Sequence, residues 1–229
     1  MKVWITRTQP GATRLAAKLR ESGYTPLVSP VLGIERLSLE PTRAADSACV
    51  CVVLSEHAVW AVGAAATELG YLAIGRNTAK ALTDRGFAPV SVPPTEDSSG
   101  IILWLESNLP EPPHAPVILY TGVDGTQQVE DHLRKKGVGC RRENAYRRVR
   151  LPLDLQIRDV GAIVASSGEA LEPIKTHLQN TGLTLDLPLV VPSLRVQVAA
   201  KATGFTQVVL AKGASAEAVV QALGEFSRL

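Results

Sequence analysis

The chain repeats its own plan at about half its length. Setting Val3 against Val117, an offset of 114, also pairs Ile5 with Leu119, Gly11 with Gly125, Leu15 with Val129, Leu19 with Leu133, Arg20 with Arg134 and Gly23 with Gly137. Gly86-Phe87 answers Gly204-Phe205 at an offset of 118, and Ser55 answers Ser166 at 111; the offsets drift because the connecting loops differ in length. Two copies of one architecture imply two similar lobes with a cleft between them, and clefts between lobes hold ligands. The apolar matches alone would arise between any two strand–helix units. The glycines weigh more, because they mark fixed backbone turns.

The local pattern is βαβ. Val3 to Ile5 reads as a buried parallel strand. Gly11 to Glu21 reads as a helix with Leu15 and Leu19 on one face, Gly23 closing its end, and Thr25 to Ser29 as a second strand. Strands follow at Val50 to Leu54, Tyr71 to Ile74 and Pro89 to Val92. Helices are expected at Ala58 to Leu69, Thr78 to Arg85 and Ser99 to Ser107, the last N-capped by Ser98. A proline-rich connector, Leu109 to Pro116, cannot continue a helix or a central strand. The second copy predicts strands at Val117 to Tyr120, Val138 to Arg141, Ala162 to Ala165, Leu189 to Val191 and Gln207 to Leu210. Its helices are Thr126 to Lys136, Glu169 to Gln179, Arg195 to Ala202 and Ser215 to Glu225; Pro173 is tolerable only in a first turn.

Two extended segments, Val31 to Leu39 and Asn144 to Leu153, break this rhythm at the same place in each copy. Read as crossings, they give one α/β lobe holding both termini, residues 1–33 plus 151–229. Residues 39–143 form the inserted lobe, and 34–38 and 144–150 are the linkers. The fold class is thus α/β, two similar doubly wound parallel-sheet lobes on a two-stranded linker.

A net charge of +2 is too mild for a general nucleic-acid binder, so no nucleic-acid partner is expected. No apolar run reaches the length of a membrane span, so no membrane association is expected either. Three cysteines without a CxxC pair fit a reducing compartment, and with no export signal the expected location is cytoplasmic. Neither a phosphate-binding loop, a nucleophile elbow nor a His/Cys metal cluster occurs, which makes a cofactor-free, metal-free protein the economical reading.

Small hydroxyl and glycine residues recur at the ends of strands: Thr6, Ser55, Gly75 with Thr78, Thr121-Gly122, Ser166-Ser167-Gly168 and Ser193. In open α/β sheets ligands bind at strand carboxyl ends, where helix N-termini present free N–H groups, so the set suits an anionic ligand. Ordinary N-capping uses the same residues and explains any single one of them. A basic run, Arg134 to Arg150, holds eight Lys and Arg residues. Most suit a solvated surface, though arginines on a crossing segment can fork onto carboxylates. Tyr146 lies among them with its phenol free to donate.

The ordered series Val3-Trp-Ile-Thr-Arg7 with Gln9-Pro10, Pro30 with Ile34, Ser55 with Ala58-Val59, Ala73-Ile-Gly75-Arg-Asn-Thr78-Ala79, Gly86-Phe87, Tyr146-Arg-Arg-Val149, Ser166-Ser167 and Val191-Pro-Ser193 resembles the uroporphyrinogen-III synthase family over essentially the whole chain. The resemblance implies a cofactor-free lyase that cyclises the linear tetrapyrrole hydroxymethylbilane. It implies Tyr146 as the catalytic residue, with Arg7, Ser55, Gly75, Thr78, Gly122, Arg148, Ser166, Ser167, Ser193 and Arg195 as substrate-binding residues. A monomer is expected, with a transient hand-over from the upstream hydroxymethylbilane-forming enzyme. The chain departs from the family pattern at His57, where asparagine is common, and at Val191-Pro-Ser-Leu-Arg195, where a threonine is common and Arg195 stands nearby. The competing reading is a non-catalytic two-lobed binding protein for a small polyanion.

Overall fold

The computed structural model describes residues 1–39, 47–63, 65–111, 115–153 and 159–226. In chain order the elements begin with β1 (Lys2–Ile5), α1 (Gly11–Glu21), β2 (Thr25–Val28), β3 (Leu32–Arg36), β4 (Ser47–Ala48) and β5 (Val50–Val53). After a 3-10 turn at Glu56–Ala61 come β6 (Ala66–Thr67), β7 (Tyr71–Ala73), α2 (Arg76–Asp84), β8 (Val90–Ser91) and α3 (Ser98–Asn108). Then follow β9 (Val117–Gly122), α4 (Gln128–Lys135), β10 (Cys140–Arg150) and β11 (Val160–Val164). A second 3-10 turn at Gly168–Ala170 leads to α5 (Leu171–Asn180), β12 (Leu189–Val191), α6 (Leu194–Thr203), β13 (Val208–Leu210) and α7 (Ala216–Phe226).

The chain divides into two compact units: unit 1 is Met1–Gly33 with Val149–Leu229, and unit 2 is Ile34–Arg148. The sheet of unit 1 runs β13-β12-β11-β1-β2, and that of unit 2 runs β3-β10-β9-β5-β7-β8. Setting β3 aside, the two orders are the same. The places of β2 and β1 are taken by β10 and β9, and those of β11, β12 and β13 by β5, β7 and β8. All these neighbours pair in parallel; unit 1 has the 2-1-3-4-5 order of a doubly wound sheet, and unit 2 has the same arrangement circularly permuted along the chain. The matches of Val3 with Val117 and Ser55 with Ser166 therefore join equivalent strands of different units. Of these five equivalent strands, each unit takes two from one half of the chain and three from the other.

Parallel strands covered on both faces read as continuous apolar runs. Accordingly β5 (VCVV) and β9 (VILYTG) are buried throughout. Helix α1 buries Ala12, Leu15, Ala16 and Leu19 against Val3, Ile5 and Val164 in one of the cores of unit 1. It stops at Gly23, whose φ of 82° is the left-handed conformation a glycine adopts without steric cost, while Tyr24 N–H returns to Leu19 O at 3.0 Å. Pro173 is the third residue of α5, where its missing N–H has no helical partner to lose.

Three expectations need correction. The helix at Ala58 to Leu69 is instead a 3-10 turn that ends at Ala61, followed by the two-residue strand β6 beside β4. Gly63, together with β-branched Val59 and Val62, outweighs the alanine content of this segment. Helix α3 is capped by Asp97, not Ser98: the extended Asp97 accepts Gly100 N–H on its carboxylate at 2.8 Å, so Ser98 is already helical. The strand expected to end at Arg141 continues to Arg150. It pairs with β9 as far as Tyr146 opposite Gly122, across a register shift after Asn144, and on its other side it is flanked by β3, as the bonds from Leu37 N–H to Ala145 O and from Leu151 N–H to Val31 O show. Part of the proline-rich connector, residues 112–114, lies outside the described residues.

Candidate active site

Because the strands of each sheet other than β3 run parallel, their carboxyl ends share one edge, and the candidate residues collect there. In unit 1, Arg7 lies two residues after β1, Ser166 two after β11 and Ser193 two after β12, with Ser167 and Arg195 adjoining. In unit 2, Ser55 lies two after β5 and Gly75 two after β7, with Thr78 on α2; Gly122 ends β9, and Tyr146 and Arg148 stand on β10.

Unit 1 holds Arg7 firmly. Its guanidinium packs on Gly11, where a Cβ would stand 2.7 Å from Nε, and Nη1 donates to Ala214 O at 2.9 Å. Beside it, Thr6 is buried and its hydroxyl donates to Val164 O at 2.8 Å, tying β1 to β11 where both strands end. Ser193 caps α6, its Oγ accepting Val196 N–H at 3.4 Å. Ser167 caps the second 3-10 turn by backbone geometry alone, with no hydrogen bond from its side chain to the turn. Arg195 is exposed on the first turn of α6.

Unit 2 brings three of its candidates, Gly122, Tyr146 and Arg148, into contact and links a fourth, Ser55, to them through His57. Ser55 Oγ accepts His57 N–H at 3.2 Å and so fixes the start of the 3-10 turn. The His57 ring lies at 71° to the Tyr146 ring, with centroids 5.4 Å apart. Tyr146 is buried and rests on the bare Cα of Gly122: a Cβ there would lie 2.8 Å from Cε2 and Cζ. The Arg148 guanidinium stands 6.0 Å from the centroid of the same ring, within cation–π range. Register sets this up, because Tyr146 pairs with Gly122 across the shift in β10.

Gly75 and Thr78 are placed differently. The amino end of α2 already holds a carboxylate of this chain: Glu96 Oε2 accepts Arg76 N–H at 3.2 Å, and Oε1 meets Arg76 Nε at 3.1 Å. A ligand carboxylate at that helix end would have to displace Glu96. Nothing in the spacing of Glu96, twenty residues beyond Arg76, signals this contact. Arg142 was the other residue hidden in the sequence. Its Nη2 donates to Gly122 O and Gly125 O at 3.1 Å each, and its Nε to Asn144 Oδ1 at 3.0 Å, so it braces the loop after β9. The clue was its i,i+2 spacing to Asn144, which places both on one face of a strand. The rest of the basic run is largely paired at the surface, as Arg134 with Glu130 and Asp131, Lys136 with Glu106, and Arg147 with Glu35.

The thiols are not candidate nucleophiles. Burial pushes Cys51 up to about 12 and Cys140 up to about 11, so neither ionises near neutrality. Among the described residues, no group of three or more His, Cys, Asp or Glu is arranged to hold a metal, and no helix is long and apolar enough to cross a membrane.

A family model described as uroporphyrinogen-III synthase HemD matches residues 13–221. The chain belongs to the uroporphyrinogen-III synthase family. Its members are lyases of tetrapyrrole and heme biosynthesis, and this chain is an enzyme of that class. The fold agrees. The uroporphyrinogen-III synthetase of Helicobacter pylori is similar at a TM-score of 0.62 and 16% identity over 98% of each chain. A mutant uroporphyrinogen III synthase of Thermus thermophilus is similar at 0.56 and 17%, over 100% of this chain and 98% of that one. At such identities the structural likeness establishes the fold, and the family match carries the activity.

Proposed function

We propose that this chain converts hydroxymethylbilane to uroporphyrinogen III, with Tyr146 as proton donor and the strand-end groups of both units as carboxylate partners. The observation that carries the reading is the family match across residues 13–221. The substrate bears acetate and propionate arms on every ring. Loss of water from its hydroxymethyl group leaves an azafulvene-like cation, and the substituted carbon of ring D attacks its methylene carbon. The resulting spiro intermediate rearranges, and ring D enters the macrocycle inverted.

Such chemistry needs a reactive chain held in one geometry and stabilisation of a developing charge. Backbone N–H groups after β1, β5, β7, β11 and β12, with Arg7, Arg148 and Arg195, suit a polycarboxylate, because an unpaired buried carboxylate is strongly disfavoured. Ser55, Gly75, Thr78, Gly122, Ser166, Ser167 and Ser193 supply the rest of the set. No step calls for a cofactor. The three free cysteines suit a reducing, cytoplasmic setting. One chain supplies every residue in this scheme, so the reading takes the monomer as the active form. The substrate closes spontaneously to the wrong isomer, which favours a transient hand-over from the enzyme that makes it. The polyanion-binding alternative is not favoured by the family match.

Supplying hydroxymethylbilane and separating the uroporphyrinogen isomers tests the reading. Isomer III is the expected product; isomer I alone, the uncatalysed outcome, overturns it.

A further inference from the structure

We infer that His57 is a positioning residue for Tyr146: its ring fixes the plane of the phenol and hence the direction in which the hydroxyl points. The inference rests on the role proposed for Tyr146. Three flanks of the Tyr146 ring are defined by named neighbours. Gly122 lies against its Cε2 and Cζ edge, close enough that no side chain fits between, and Arg148 stands off the ring at 6.0 Å. The third flank is His57, at 71° and 5.4 Å, an edge-to-face aromatic contact of the kind that fixes ring planes.

His57 is itself held. It is the second residue of the 3-10 turn, and its N–H is bonded to Ser55 Oγ. The turn is pinned from the other side by Arg85, whose guanidinium donates to Val59 O, and by Arg36, 5.3 Å from the Trp60 ring. A rigid turn therefore presents one ring to another across the end of β9. Backbone pairing fixes the Tyr146 Cα against Gly122, but not χ1, which places the phenol oxygen, nor χ2, which sets the ring plane and with it the favoured direction of the O–H bond; the flanking groups hold both. Ser55 acquires a role here too, since its hydroxyl bears on Tyr146 through His57.

The test is a mutant cycle on the full chain, with kcat, KM and isomer ratio measured. His57→Ala should lower kcat on the order of ten- to a hundredfold with KM little changed, the size of effect expected from a small misplacement of a reacting group. His57→Phe, which restores a ring edge, should recover most of that loss. In a Tyr146→Phe background, His57→Ala should add little, because the hydroxyl it directs is gone. Wild-type kcat in His57→Ala, a full His57→Ala effect in the Tyr146→Phe background, or a His57→Phe variant as slow as His57→Ala would each overturn the inference. If His57→Ala fails to fold, His57→Gln takes its place in the cycle. A second readout does not depend on turnover. With ring-labelled tyrosine, the Tyr146 resonances of the free protein should shift or broaden in His57→Ala, and unchanged resonances overturn the inference. A wild-type protein yielding only isomer I defeats the proposed function instead and leaves this spectral test standing.

Discussion

Glu96 lies over Gly75 so closely that its carboxylate fills the space a Cβ at position 75 would occupy. Gly75 is extended, with φ of −170°, so its backbone conformation is open to any residue. What demands glycine is the carboxylate, which replaces the side-chain cap a glycine cannot provide and favours the positive end of α2. Gly75→Ala should therefore push Glu96 away and cost about as much as losing a cap, ~0.5–2 kcal/mol. In a Glu96→Ala background the same change should cost little further, because the two effects share one contact. Denaturant midpoints of the four proteins measure this; additive costs would show that Gly75 and Glu96 act separately.

Gly122 meets a firmer obstacle. A Cβ there runs into Cε2 and Cζ of Tyr146, a ring within the core that also holds Val53, Ala58, Ile118 and Tyr120. The ring cannot swing into solvent as Glu96 can. Gly122→Ala should destabilise unit 2 by ~1–3 kcal/mol, the usual cost of overpacking, and should slow turnover by displacing the phenol. Gly168→Ala is the control: nothing lies within 4 Å of its added Cβ, and stability should be unchanged. Equal melting temperatures for wild type and Gly122→Ala would refute the close packing.

Stability should fall in alkali, and Cys51 should account for part of the fall. Burial raises its thiol from 9.0 to about 12, against a lowering influence from Arg141. Above pH 9 the unfolded chain releases this proton and the folded chain keeps it, so the unfolded state gains. The contribution is fully present below pH 9 and is lost progressively up to about pH 12. Cys140 and Tyr71, also raised by burial, act in the same direction. Unfolding midpoints between pH 8 and pH 11 should drop less steeply in Cys51→Ala than in wild type. Parallel curves would show that the thiol ionises alike in both states.

The fold was legible where local signals agreed. Val3 to Ile5, Leu15 with Leu19, and Gly23 each point to the same βαβ unit, and the glycine repeat carried it to the second copy. The misreadings have physical causes. Alanine content suggested a helix after Ala58, but Gly63 and the β-branched valines outweighed it. The bulge in β10 depends on how Tyr146 meets Gly122, a long-range pairing that no local pattern encodes. At the site, the strand-end serines were visible by type, while their partners were not. Glu96, twenty residues from Arg76, and Arg142, among seven other cations, become distinct only once the strands are in register. His57 stood out only as a departure, and its contact with Tyr146 spans eighty-nine positions.

Tyr146→Phe isolates the hydroxyl. The ring is buried among Gly122, His57 and Arg148, and phenylalanine preserves each of these contacts. Thermal stability should therefore remain close to that of wild type. The phenol is proposed to donate to the departing hydroxyl group as water leaves the substrate. Water can stand in for it partly, because the hydroxymethyl group next to a pyrrole ionises readily, so the loss should not be total. Turnover should slow by on the order of ten- to a thousandfold, at or below the usual range for acid–base assistance. Isomer III should persist among the enzymatic product, since ring placement rests on carboxylate contacts that the substitution leaves alone. At low turnover the uncatalysed isomer I accumulates beside it, so the isomer ratio must be read at high enzyme concentration. Wild-type turnover in Tyr146→Phe, with an unchanged yield of isomer III, would show that the ring serves packing alone and that the proton comes from elsewhere.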